Sequence, residues 1–113
     1  MANTTTRTGR FITITGLDDD WWGNVALGAA VELLAVQFVP SAASDRMIIR
    51  NGGLDNAVIF DSGVTANTNP LRVDMPGSQY CNPVIDISDC TLSTAANAKV
   101  MLLVSKIGND NIN

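Results

Sequence analysis

Between Ala30 and Ile107 the chain is a succession of short apolar runs, each stopped by turn-forming residues. In order they read VELLAVQFVP, SDRMIIRNGG, NAVIFDSG, NPLRVDMPG, NPVIDIS and AKVMLLVSK. Each run is rich in Val, Ile, Leu and Phe, and Gly, Pro, Asn, Asp or Ser bounds it. Short strands at regular spacing with turns between them specify a sandwich or barrel. With 113 residues there is room for one such domain. The expected fold is all-β: an antiparallel, jelly-roll-like β-sandwich of roughly seven to eight short strands. Residues 10–107 form the single sandwich domain, residues 1–9 a flexible arm and residues 108–113 a frayed tail.

Individual runs can be placed more closely. RFITIT alternates and makes a plausible first strand. GLDDDWWGN reads as a loop. The stretch from Val25 to Val39 is Ala-rich at its start, where it has helical potential, and it ends in VQFVP, which suits a strand stopped by Pro40. A strand from about Val31 to Val39 fits the rhythm of the later runs. Asp45–Arg50 and Ala57–Asp61 form a hairpin around Asn51-Gly52. Residues 62–70 are a polar loop, Leu71–Met75 a short strand ended by Pro76-Gly77, and Pro83–Ser88 and Ala98–Lys106 the last two strands.

Two of these runs are apolar at both parities. By strict alternation Val31, Leu33, Ala35 and Val39 point one way and Leu34, Val36 and Phe38 the other. In the last strand Met101 and Leu103 oppose Val100, Leu102 and Val104. An antiparallel sandwich buries one face of each sheet and wets the other, so the second apolar face calls for cover. In a chain this short another subunit is the simplest cover; a loop folded over the sheet is the alternative. Val36, Phe38, Met101 and Leu103 are therefore candidate interface residues in a homo-oligomer, for which a trimer is the expectation.

Charge narrows the partners. Only 16% of residues are charged and the formal net charge is −4. Gripping nucleic acid needs clustered Lys and Arg, and no basic run exists. Arg7 and Arg10 come nearest, in an N-terminal segment without acids. They read as part of a solvated tail, or as an arm resting on an acidic neighbour. The first fifteen residues lack the pattern of a signal peptide. Val25 to Val39 is broken by Glu32 and Gln37 and is shorter than the roughly 20 residues of a membrane helix. The expectation is a soluble product of the cytosol, with no nucleic acid and no membrane as partner.

Catalytic constellations are weak. The chain has no His, the commonest partner base for a Ser or Cys nucleophile. No phosphate-binding loop is present. Eleven acidic residues guarantee that some carboxylates meet in any fold, so a carboxylate pair signals nothing by itself. Asp18-Asp19-Asp20 departs from the calcium loop, with Trp22 and Ala29 at two ligand positions. Cys81 and Cys90 alone cannot complete a zinc site; packed, reduced thiols are expected, a disulfide being the alternative. Trp21 and Trp22 are candidate anchors of an interface, or of a sugar-stacking surface. No catalytic residue, metal or cofactor is expected.

The order of segments resembles that of small structural proteins of tailed bacteriophages. The resemblance runs over about residues 30–106. It rests on the strand ending in VQFVP, the Ile49-Arg50-Asn51-Gly52 turn, AVIFDSG, Asn69-Pro70-Leu71 and the closing AKVMLLVS. It implies a jelly-roll or sandwich subunit, often trimeric, that decorates or cements a capsid by binding the major capsid protein or another virion protein. Such a chain would be made in the host cytoplasm and end in the virion. The alternative is a carbohydrate- or receptor-binding module of a tail or fibre.

Overall fold

The computed structural model describes residues 3–17, 19–28, 30–53, 57–94, 97–107 and 110–111. These residues form an all-β sandwich of ten strands: β1 (Thr4–Thr8), β2 (Phe11–Thr15), β3 (Trp21–Trp22), β4 (Val31–Val39), β5 (Ile48–Asn51), β6 (Val58–Asp61), β7 (Leu71–Cys81), β8 (Pro83–Ile85), β9 (Lys99–Ile107) and β10 (Asp110–Asn111). One short helix, α1 (Gly23–Leu27), follows β3, and a 3₁₀ turn spans Ile87–Asp89. The larger sheet has the order β1-β2-β9-β4-β7, with β10 also on β9; the smaller has the order β3-β8-β5-β6.

The pairing follows one rule. β5 pairs with β6, β4 with β7, β3 with β8 and β2 with β9, all antiparallel. The chain is thus one long hairpin whose two arms are folded over as a ribbon. Rolling the ribbon brings β4 beside β9 in one sheet and β5 beside β8 in the other. This is the jelly roll, as expected from the sequence.

The core lies between the sheets. Ile12 and Ile14 of β2, Val100, Leu102 and Val104 of β9, and Val31, Leu33, Val36 and Phe38 of β4 line it from the large sheet. Trp21, Ile49, Phe60 and Ile85 close it from the small sheet. Burying a single Val, Leu, Ile or Phe contributes about 1.5–3 kcal/mol. The described residues leave no buried side-chain nitrogen or oxygen without a hydrogen bond.

Strict alternation fails in β4. The register advances from Leu33 opposite Val104 to Ala35 opposite Leu103, so two residues of β4 pass one of β9. This β-bulge flips the parity of everything after it. Val31 and Leu33 point into the core, and so do Val36 and Phe38. Half of the apparent two-sided hydrophobicity of this strand is therefore one face seen across a bulge.

Other segments also depart from expectation. Thr4–Thr8, expected within a flexible arm, forms β1 and pairs along its whole length with β2. Thr is a strong strand former, and Gly9 at φ 59° lets the two-residue turn close. Trp21–Trp22, expected in a loop, pairs with β8. Gly23–Leu27 is helical and stops at Gly28 in the left-handed conformation. β7 does not end at Pro76-Gly77. Between Asp74 opposite Ala35 and Gln79 opposite Leu33 it bulges, then runs on to Cys81. Proline lacks an N–H and suits such a break on an edge strand. Of the expected frayed tail, Asp110–Asn111 pairs with β9, and 108, 109, 112 and 113 lie outside the described residues.

Candidate docking face and loop cluster

The outer face of the large sheet can be read from its register. Phe11 stands opposite Leu103, Leu103 opposite Ala35, and Ala35 opposite Asp74. The next row runs Thr6, Thr13, Met101, Gln37 and Arg72. Directly opposed residues share a face; none of these residues belongs to the packed cluster between the sheets, though Ala35 is itself only 3% exposed, covered by its larger neighbours. Phe11 is 48% exposed; Met101 and Leu103 are partly exposed. Phe11, Ala35, Met101 and Leu103 make an apolar centre, framed by threonines on β1 and β2 and by the Arg72–Asp74 ion pair at 2.9 Å on β7. The dimple between them holds about 20 Å³, room for little more than one water. Nothing sizeable can enter it; a surface can lie on it.

Of the candidate interface residues, Met101 and Leu103 stand on this face. Val36 and Phe38 do not: both are fully buried because the bulge turns them inward. Trp21 is also withdrawn, at 2% exposure, with its indole N–H donating to Thr5 Oγ1 at 2.9 Å. Trp22 faces the other way and is 37% exposed. In the small sheet it stands opposite Val84, itself fully buried, which in turn stands opposite Arg50, whose guanidinium pairs with Asp89 at 2.8 Å. The two tryptophans thus cannot form one platform. Phe11 is the residue that sequence reasoning missed: its place opposite Leu103 depends on a pairing that spans the whole chain. Arg7 and Arg10 do not form a reaching arm. Arg7 lies within β1, and the carbonyl of Arg10, in the β1–β2 turn, accepts from the Val104 N–H at 3.0 Å.

The loops before β3, β5, β7 and β9 gather at one end of the roll, and Asp45 ties three of them. Its carboxylate accepts from the N–H groups of Ser41 at 2.8 Å and Ala42 at 3.2 Å, from the Ser41 hydroxyl, and from the Ser93 N–H at 2.9 Å. Its carbonyl accepts from the N–H and hydroxyl of Thr65 at 3.0 and 2.8 Å. The fourth loop joins through Asp20, which accepts from the Ile87 N–H at 2.8 Å. Adjacency in the chain suggests an Asp45–Arg46 surface pair, and the structure corrects this: Asp45 is fully buried, and Arg46 instead forks onto Asp61. Burial pushes the Asp45 carboxyl up, but the bonds from Ser41 and Ser93 more than reverse this and leave it below its usual value. The Arg46 hydrogen bond first, and the Gly63 N–H second, hold Asp61 down to about 2.

Both thiols are free. Burial pushes Cys81 up to about 11 and raises Cys90, so neither is a thiolate nucleophile at neutral pH. Among the described residues no three His, Cys, Asp or Glu side chains gather to hold a metal ion, though Asp18 lies outside them. No helix among them is long and apolar enough to cross a membrane. The chain matches no protein-family model, no curated protein and no solved structure.

Proposed function

We propose that the protein is a non-enzymatic structural subunit of a virion, of the capsid decoration or cement type. It would self-associate, with a trimer expected, and dock on the major capsid protein or another virion protein. The observation that carries the reading is the outer face of the large sheet, where exposed Phe11 and partly exposed Met101 and Leu103 stand together over the buried Ala35, with the Arg72–Asp74 pair the nearest charges. Support of a second kind is the jelly roll, an architecture shared by viral capsid and lectin domains; a fold hosts many functions, so this is analogy. The net charge of −4 opposes a nucleic-acid partner. The mechanism is burial at about 25 cal/mol per Å² of apolar surface, multiplied when many copies bind one lattice.

The alternative module, built for sugars or receptors on Trp21 and Trp22, retains only Trp22. The test is co-sedimentation of purified protein with shells that lack it. The proposal expects saturable binding of the wild-type oligomer, which Leu103→Asp weakens by dissociating the subunits and removing their multivalency; shell binding equally strong in the dissociated variant would refute a role for this face in assembly on the shell.

A further inference from the structure

The loop between β6 and β7 holds a feature that shell docking does not use. It opens a cleft of about 360 Å³, lined among others by Ser62, Val64, Thr65, Asn67, Asn69 and Pro70. It is an open surface depression formed by one loop, wide enough to take a small ligand against one side rather than to enclose it. We propose that this cleft binds a neutral saccharide unit.

The cleft is preorganised. A stretch of irregular chain would ordinarily cost conformational entropy on closing around a ligand. Here the loop is already pinned. Thr65 is held by three hydrogen bonds to the β4–β5 loop: its N–H and hydroxyl donate to Asp45 O, and its carbonyl accepts from Ser44 N–H at 2.7 Å. Ser62 accepts from the Met47 N–H at 2.9 Å and donates to the Gly63 carbonyl at 2.8 Å. The Asn69 N–H donates to Asn67 Oδ1 at 2.9 Å. Asp45, to which Thr65 is tied, is itself buried and hydrogen-bonded, so the Thr65 side of the cleft is fixed to the core of the fold.

The chemistry of the lining also suits a sugar. No charged side chain lines the cleft, and neighbouring Asp61 is spent on Arg46. An ion would find no counter-charge. The lining offers hydroxyls and amides instead. The Asn69 side-chain amide has no hydrogen-bond partner among the described residues, and the Asn67 amide uses only its oxygen. Such groups donate and accept at once, as vicinal sugar hydroxyls do. Val64, 72% exposed, stands beside them with Pro70, giving an apolar wall for the C–H face of a pyranose. With no aromatic ring to stack on, one site is a millimolar binder, and it gains strength only where copies are arrayed. The cleft shares no lining residue with the dimple on the docking face, so sugar binding there is independent of shell docking.

The test is a heteronuclear NMR titration of the full chain with galactose, mannose and N-acetylglucosamine, with glucuronic acid as the charged control and a glycine tripeptide as the peptide control. The expected result is amide shifts confined to residues 62–71, with at least one neutral sugar, at millimolar concentration. Asn69→Ala, an exposed change that leaves the fold intact, should weaken that binding about tenfold, and Trp22→Ala should leave it unchanged. The proposal is overturned if no neutral sugar moves residues 62–71, if the shifts centre on Trp22, or if glucuronic acid or the tripeptide binds as well as the best neutral sugar.

Discussion

Asp45 shows how much one side chain can hold. Four donors from two loops converge on its carboxylate, and a third loop hangs on its carbonyl. Replacing it with Ala leaves three part-buried N–H groups, those of Ser41, Ala42 and Ser93, without their acceptor, each costing about 1 kcal/mol where solvent can partly replace it. Asp45→Ala should therefore lower the unfolding free energy by about 3 kcal/mol or more, read from urea denaturation. The pH dependence comes from the direction of its shift. The folded carboxyl sits below the unfolded value of about 3.9, so its stabilisation is complete above that value and fades as pH falls through the lowered folded one. Asp61 adds a loss in the window between about 3.9 and about 2, damped by solvent because its side chain is 36% exposed. Acid titration followed by tryptophan fluorescence should show stability flat from neutral pH to about 4 and falling below it, with a shallower fall in Asp45→Asn. None of this was legible in the sequence, where Asp45 beside Arg46 looks like an ordinary surface pair. The bonds to Ser93 and Thr65 span 48 and 20 residues, and no local pattern reports them. The cysteines are simpler. Cys81, 5% exposed and raised to about 11, should resist a thiol reagent at neutral pH in the native protein and react once it is unfolded.

The bulge in β4 decides which apolar residues are available to a partner. Before it the core residues are Val31 and Leu33; after it they are Val36 and Phe38. Val36→Asp would bury a charge among core side chains and should abolish folding, seen as loss of the β signal in circular dichroism. Leu103→Asp, on the outer face, should leave that signal intact. The bounds of β4, its pairing neighbour β9 and the β5–β6 hairpin were all legible, because apolar runs and turn residues mark them. The bulge was not, because an extra residue leaves both parities apolar and looks like a strand buried on two sides. In β9 the second apolar parity is real: Val100, Leu102 and Val104 are in the core while Met101 and Leu103 are outside it. β1 and β3 were missed for opposite reasons, the first being polar throughout and the second only two residues long. β3 also depends on a close approach, since a Cβ on Gly23 would meet the Pro83 carbonyl oxygen at 2.5 Å. Gly23→Ala should thus cost about 1–3 kcal/mol in a denaturant titration.

At the scale of the molecule, the ribbon rule joins the first strands of the chain to the last. β2 reaches β9 across almost the full sequence, so the large sheet is not complete until both ends have arrived. The sequence announced many short strands and a sandwich, but the order of strands within each sheet is a property of long-range pairing that no local signal carries. That order makes the docking face, because it sets Phe11 of β2 against Leu103 of β9 and Leu103 against Ala35 of β4. Closing β5 on β8 and β4 on β9 leaves the outer side of the large sheet with an apolar centre, which an isolated monomer would expose to water. The most direct test is light scattering of the wild-type protein and of Leu103→Asp at micromolar concentration. The wild type should be a discrete oligomer, a trimer, and the variant a folded monomer. A wild-type protein that stays a soluble monomer, with the same mass as Leu103→Asp, would contradict this.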